Sequence, residues 1–121
     1  RDGAIVDLPN TPLESIPPYH SCGTALRPHV VQFGEPLDPE VLREAVIASG
    51  KAELFLVVGT SGVVSPAAQL PLIALENGAE VVEVNPNPTA LTPYVTMSIR
   101  RKAAEALPKI LEELKKELLK R

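Results

Sequence analysis

Apolar positions along this chain follow two rhythms, and together they predict most of its elements. Val41, Leu42, Ala45, Val46 and Ala48 recur at helical spacing behind Asp38-Pro39-Glu40. Asp38 suits the N-cap, Pro39 the first helical position and Glu40 the first turn, and Gly50 is expected to stop the helix. Residues 53–58 then read Glu-Leu-Phe-Leu-Val-Val, a continuous apolar run of the kind found in strands covered on both faces of a parallel sheet. The run ends in Gly59-Thr60-Ser61-Gly62, and a second helix is expected over about 66–76, closed by Asn77-Gly78. A second strand, Glu80–Val84, follows at once and ends at Asn85. A third short strand is expected near 94–99. Ala104, Leu107, Leu111, Leu114 and Leu118 form one stripe of a last helix, with Pro108 expected in its first turn rather than deep inside.

The amino-terminal part reads differently. Pro9, Pro12, Pro17 and Pro18 discourage helix and central strand, so residues 1–21 are expected to be irregular. Residues 26–35 are extended in character, with Val30, Val31 and Phe33 as strand-prone positions before Gly34. Strand, helix, strand, strand, helix with short connections predicts an α/β fold: a partial doubly wound, Rossmann-like parallel sheet of about three strands with flanking helices. The expected organisation is an irregular segment over 1–21 and a sheet domain over 22–121.

Composition narrows the function classes. The 121 residues carry a net charge of −3 and are 45% hydrophobic but only 3% aromatic, leaving little to stack on bases. Seven of the 12 basic residues lie beyond position 100, among them Lys115, Lys116, Lys120 and Arg121. Those four suit a helix C-terminus, and the interleaved Glu residues break up the one-sided positive face that a phosphate track requires. No nucleic-acid partner is expected. The longest apolar run, Leu54–Val58, is far shorter than the ~20 residues of a membrane span. A single Cys excludes an internal disulfide framework. Arg1-Asp2-Gly3 lacks both a starting Met and the apolar stretch of a secretory signal, so the chain is expected to begin inside a longer, cytoplasmic protein.

In an open α/β sheet, ligands bind beyond the carboxyl ends of strands. Two such ends carry suggestive residues here. Gly59-Thr60-Ser61-Gly62 offers small side chains, amides and hydroxyls to phosphate or ribose oxygens, or simply makes a tight turn. Asn85-Pro86-Asn87 offers an amide to a ribose or an adenine edge, or caps its own turn as an Asx motif. Zinc needs about four Cys or His ligands, whereas His20, Cys22 and His29 read as a turn residue, a small buried hydrophobe and a surface His. No nucleophile, base and orienting group can be assembled, so no catalytic residue is assigned.

Four stretches, in order, carry a family resemblance. Residues 22–35, from Cys22-Gly23-Thr24 to Val30-Val31-Gln32-Phe33-Gly34-Glu35, resemble the signature after the zinc module of sirtuins, the NAD-dependent protein-lysine deacylases. Residues 57–68, around Gly59-Thr60-Ser61-Gly62-Val63-Val64-Ser65-Pro66, are similar to that family's NAD- and peptide-binding loop. Residues 82–93, around Val84-Asn85-Pro86-Asn87-Pro88-Thr89, are similar to its adenosine-side motif, and residues 99–108 to its closing strand and helix.

The resemblance implies NAD as cofactor, held by Gly59, Thr60, Ser61, Asn85, Pro86, Asn87 and Ala103. It implies an acyl-lysine peptide or protein as substrate, paired as a strand through Val31, Gly34 and Glu35 and through Val64 and Ser65, with Phe33 in the acyl-lysine tunnel. It also implies what these residues do not supply. The family's Gly-rich loop and His-Gly general base precede the matching part, and only Cys22 remains as a weak zinc candidate. The expectation is the carboxy-terminal part of a deacylase, inactive alone and completed by an amino-terminal half. The alternative is a stand-alone or engineered α/β binding or scaffold domain of the same fold. Either way, the unpaired edge of residues 54–58 is expected to pair with that half or with another copy.

Overall fold

The computed structural model describes residues 3–8 and 12–120. Pro9 and Arg121, named above for loop and helix-end roles, lie outside the described residues. The chain divides into two compact units, Arg1–Leu37 and Asp38–Arg121.

The first unit contains neither helix nor strand among its described residues, beyond one antiparallel bridge between Tyr19 and Ala25. Residues 26–35 therefore depart from the extended reading. Arg27 donates to the Glu35 carboxylate and, at 3.2 Å, to the Val30 carbonyl, while the Gln32 N–H donates to Glu35 Oε2 at 3.0 Å. These side-chain bonds fold the segment into a turn, with Gly34 at φ +89°, and β-branched residues alone supply no neighbouring strand to oppose them. Cys22 is exposed rather than a buried hydrophobe, on the turn between Tyr19 and Ala25.

The second unit begins with α1, Pro39–Lys51. Asp38 caps it as expected, its carboxylate accepting from the N–H groups of Glu40 at 2.8 Å and Val41 at 3.4 Å. The helix runs one residue past Gly50, until Ala52 turns extended. Strand β1 spans Leu54–Val58, β2 Glu80–Val84 and β3 Met97–Ile99. They form one parallel sheet in the order β1-β2-β3, with Leu56 opposite Val82 and Val82 opposite Met97. A short 3-10 turn, Ala67–Gln69, leads into α2, Leu70–Glu76. Gly78, at φ +87°, closes α2: its N–H bonds the Leu75 carbonyl and the Ala79 N–H bonds the Ala74 carbonyl, both at 3.0 Å.

Val57, Ala74, Ala79, Val81 and Leu91 make the core, with α2 packed on β1 and β2 and α1 on α2. This layer covers only one face of β1. Leu54 is 56% and Leu56 45% exposed, so the apolar run that predicts burial on both faces is buried on one. The last helix, α3, spans Ala103–Leu119. Its predicted stripe is exposed from Leu107 to Leu118, and Pro108 sits in the second turn, inside the helix, where its ring displaces one hydrogen bond. Lys116 pairs with Glu113 and Lys120 with Glu117, at 2.6 and 2.7 Å. Among the described residues, no helix is long and apolar enough to cross a membrane.

Candidate functional site

Parallel pairing brings the carboxyl ends of β1 and β2 side by side. Just past β1, the Gly59 N–H donates to the Val84 carbonyl at 3.0 Å, extending the ladder. Gly59 (φ +64°) and Gly62 (φ +68°) then let the chain turn tightly through Thr60 and Ser61. The Thr60 hydroxyl accepts from the Gly62 N–H at 3.3 Å. A Cβ on Gly62 would lie 2.7 Å from Leu91 Cγ, so the turn presses directly on the core.

Opposite it stands the turn after β2. Asn85 Oδ1 accepts from the Asn87 N–H at 3.1 Å, which is the Asx outcome, and Asn85 Nδ2 donates to the Thr60 carbonyl at 3.0 Å. The two turns are thus one construction. They line a cavity of about 460 Å³ formed by Gly59, Thr60, Ser61, Asn85, Asn87 and residues 88–90. It is shallow and open to solvent, so it can offer a ligand one wall rather than enclose it. Five of the seven expected cofactor residues lie on it. Pro86 is exposed beside it, and Ala103 opens α3, half-buried; neither is part of the lining.

Beneath the cavity lies a group that sequence reasoning missed. Glu83 is fully buried in β2 and accepts from the hydroxyls of Thr89, Thr92 (2.8 Å) and Ser98 (3.3 Å). Arg100 completes the shell at 2.6 Å. Burial alone would push the Glu83 carboxyl up, yet the Thr89 and Thr92 hydroxyls and the Arg100 guanidinium hold it below the usual carboxylate range. A charge in the middle of a valine-rich strand was the available signal.

The expected substrate residues fall in both units. Val31, Phe33, Gly34 and Glu35 belong to the first. There the Arg27–Glu35 pair braces the turn and Phe33 is 93% exposed at its tip. Val64 and Ser65 belong to the second, on the exposed stretch between Gly62 and the 3-10 turn.

Cys22 Sγ lies 3.0 Å from His20 Nδ1 and 3.4 Å from Thr24 Oγ1. The Thr24 hydroxyl, then His20, bring its thiol down to about 7. Among the described residues, no group of three or more His, Cys, Asp or Glu could hold a metal ion. The Cys22–His20 pair alone does not fit a structural zinc site, which takes four ligands.

Residues 7–66 match the model of the Sir2 family. An NAD-dependent protein deacylase of Mycobacterium leprae is 51% identical over 112 residues, a match covering 93% of this chain and 47% of that protein. A mutant Sir2 homologue in complex with ADP ribose superposes with a TM-score of 0.82 at 43% identity, over 88% of this chain and 44% of its own. A Sir2-p53 peptide-NAD+ complex gives 0.73 at 38%, over 83% and 42%. The chain therefore spans about half the length of the curated relatives it matches.

Proposed function

Because this chain belongs to the Sir2 family, we propose that it forms one side of the NAD site, and part of the peptide site, of a cytoplasmic NAD-dependent protein-lysine deacylase. The observation that carries this reading is the Asn85–Thr60 bond, which joins two strand-end turns into one continuous rim at the carboxyl end of the sheet. Amides and hydroxyls of Gly59, Thr60 and Ser61 would meet ribose and phosphate oxygens, with Asn85, Pro86, Asn87 and Ala103 toward the adenosine. NAD, when bound, supplies the reactive glycosidic carbon. This chain's residues bind and orient it.

Acyl-lysine peptide would pair with backbone groups of Val31, Gly34 and Glu35, and with those of Val64 and Ser65. The exposed ring of Phe33 would pack on the lysine stem. The family resemblance places the His general base before the matching part, so the base for the ribose hydroxyl is expected from the amino-terminal half, and the chain alone is expected to be inactive. Among the described residues no strand pairs with the outer edge of β1, and that edge is the expected seam for the complementary half or for a second copy.

The test is deacylation of an acetyl-lysine peptide with NAD. Activity should be undetectable for the chain alone and appear on adding the amino-terminal half of a relative. Activity under neither condition, with a cooperative monomeric melt, would favour the scaffold reading.

A further inference from the structure

We propose that Arg100 is a positioning residue for the nucleotide rim, transferring the fixed location of buried Glu83 to the backbone of the 85–87 turn. The inference rests on the reading of that turn as the NAD site. One face of the guanidinium is committed inward: Nη2 sits 2.6 Å from Glu83 Oε2 and donates to Thr92 Oγ1 at 3.0 Å. The other arm points outward, where Nη1 donates to the carbonyls of Asn85 and Asn87, both at 3.2 Å.

Asn85 is the residue that reaches across to Thr60, so Arg100 governs the cavity at one remove. Its side chain is 31% exposed while that of Glu83 is fully buried, so the ion pair is anchored at its inner end. Thr92 reinforces the geometry, since its hydroxyl also accepts from the Thr89 N–H at 2.8 Å on the cavity wall. A planar fork with several donors in fixed directions can serve both ends at once. An ammonium, a point charge on a flexible stem, can satisfy Glu83 but cannot also span two loop carbonyls.

Arg100→Lys separates positioning from folding. Ser98→Ala is the structural control, removing one Glu83 bond without touching the turn. Amide hydrogen exchange at Asn87 and Thr89 reads the turn, and calorimetry with ADP ribose reads the site. In R100K, exchange at those amides should rise about tenfold and ADP ribose should bind about tenfold more weakly, with S98A like wild type on both. The neutral pair E83Q/R100Q, which leaves no buried charge unpaired, should behave like R100K and stands in should that variant fail to fold. Wild-type exchange in R100K and in the double variant, or equal changes in S98A, would overturn the role. Failure of the wild-type chain to bind ADP ribose would overturn the nucleotide reading instead, and exchange would still decide whether Arg100 holds the turn.

Discussion

The side-chain amide of Asn85 donates to the main-chain carbonyl of Thr60 at 3.0 Å, across 25 residues of sequence. This bond makes one rim from two turns. Replacing Asn85 by Ala removes it together with the Asx bond to Asn87. The expected cost is about 1–2 kcal/mol in stability, near that of two net hydrogen bonds. ADP ribose affinity should fall about tenfold. Denaturant titration and calorimetry on the same variant measure the two effects.

Gly62 and Gly59 both adopt positive φ, but only Gly62 faces a neighbour, since its Cβ would lie 2.7 Å from Leu91 Cγ. Gly62→Ala should therefore cost more than the ~1 kcal/mol of dihedral strain expected for Gly59→Ala. Combining Gly62→Ala with Leu91→Ala should destabilise by less than the sum of the single changes, because the truncated side chain no longer meets the new methyl. Thermal melts of the four variants decide this.

Acid should weaken the second unit through Glu83. Its folded pKa lies below the ordinary value, so its contribution is present above the unfolded pKa of ~4.3 and is lost as pH falls through the folded one. The difference in melting temperature between wild type and Glu83→Gln should be largest near neutrality and shrink below about pH 4. A constant difference across that range would mean the carboxylate's charge is not what stabilises the site.

Much of this architecture is legible in the sequence, for physical reasons that can be named. The capping of α1 is local, so Asp38-Pro39 announces it, and the Gly78 termination of α2 is equally local. Strand β2 reads correctly because its apolar run ends in polar turn residues. A charge in a valine-rich strand flags Glu83 locally but not what satisfies it, since its partners Thr89, Thr92, Ser98 and Arg100 come together only after β3 pairs with β2. The exposed face of β1 is hidden for the converse reason. The sequence pattern reports that Leu54 and Leu56 favour cover, whereas the described residues place no layer over them. Cys22 and the turn over 32–35 depend on side-chain bonds that no periodicity encodes.

That exposed face and the free β1 edge predict self-association. Sedimentation of the chain should show a concentration-dependent dimer, and Leu56→Lys, which places a charge on the face, should shift it to monomer. A monomer at millimolar concentration would contradict the edge's role.

The Cys22 thiol should titrate near 7. Alkylation by iodoacetamide should rise with a midpoint there, and Thr24→Val or His20→Ala should move the midpoint toward the ordinary ~8.5. Equal midpoints in all three proteins would show that neither neighbour stabilises the thiolate.

The most direct measurement of the central claim is a titration of the isotopically labelled chain with NAD, followed through its backbone amide shifts. Saturable changes should concentrate at Gly59, Thr60, Ser61, Asn87 and Ala90. Saturation without movement of those amides, or no change at any NAD concentration, would contradict it.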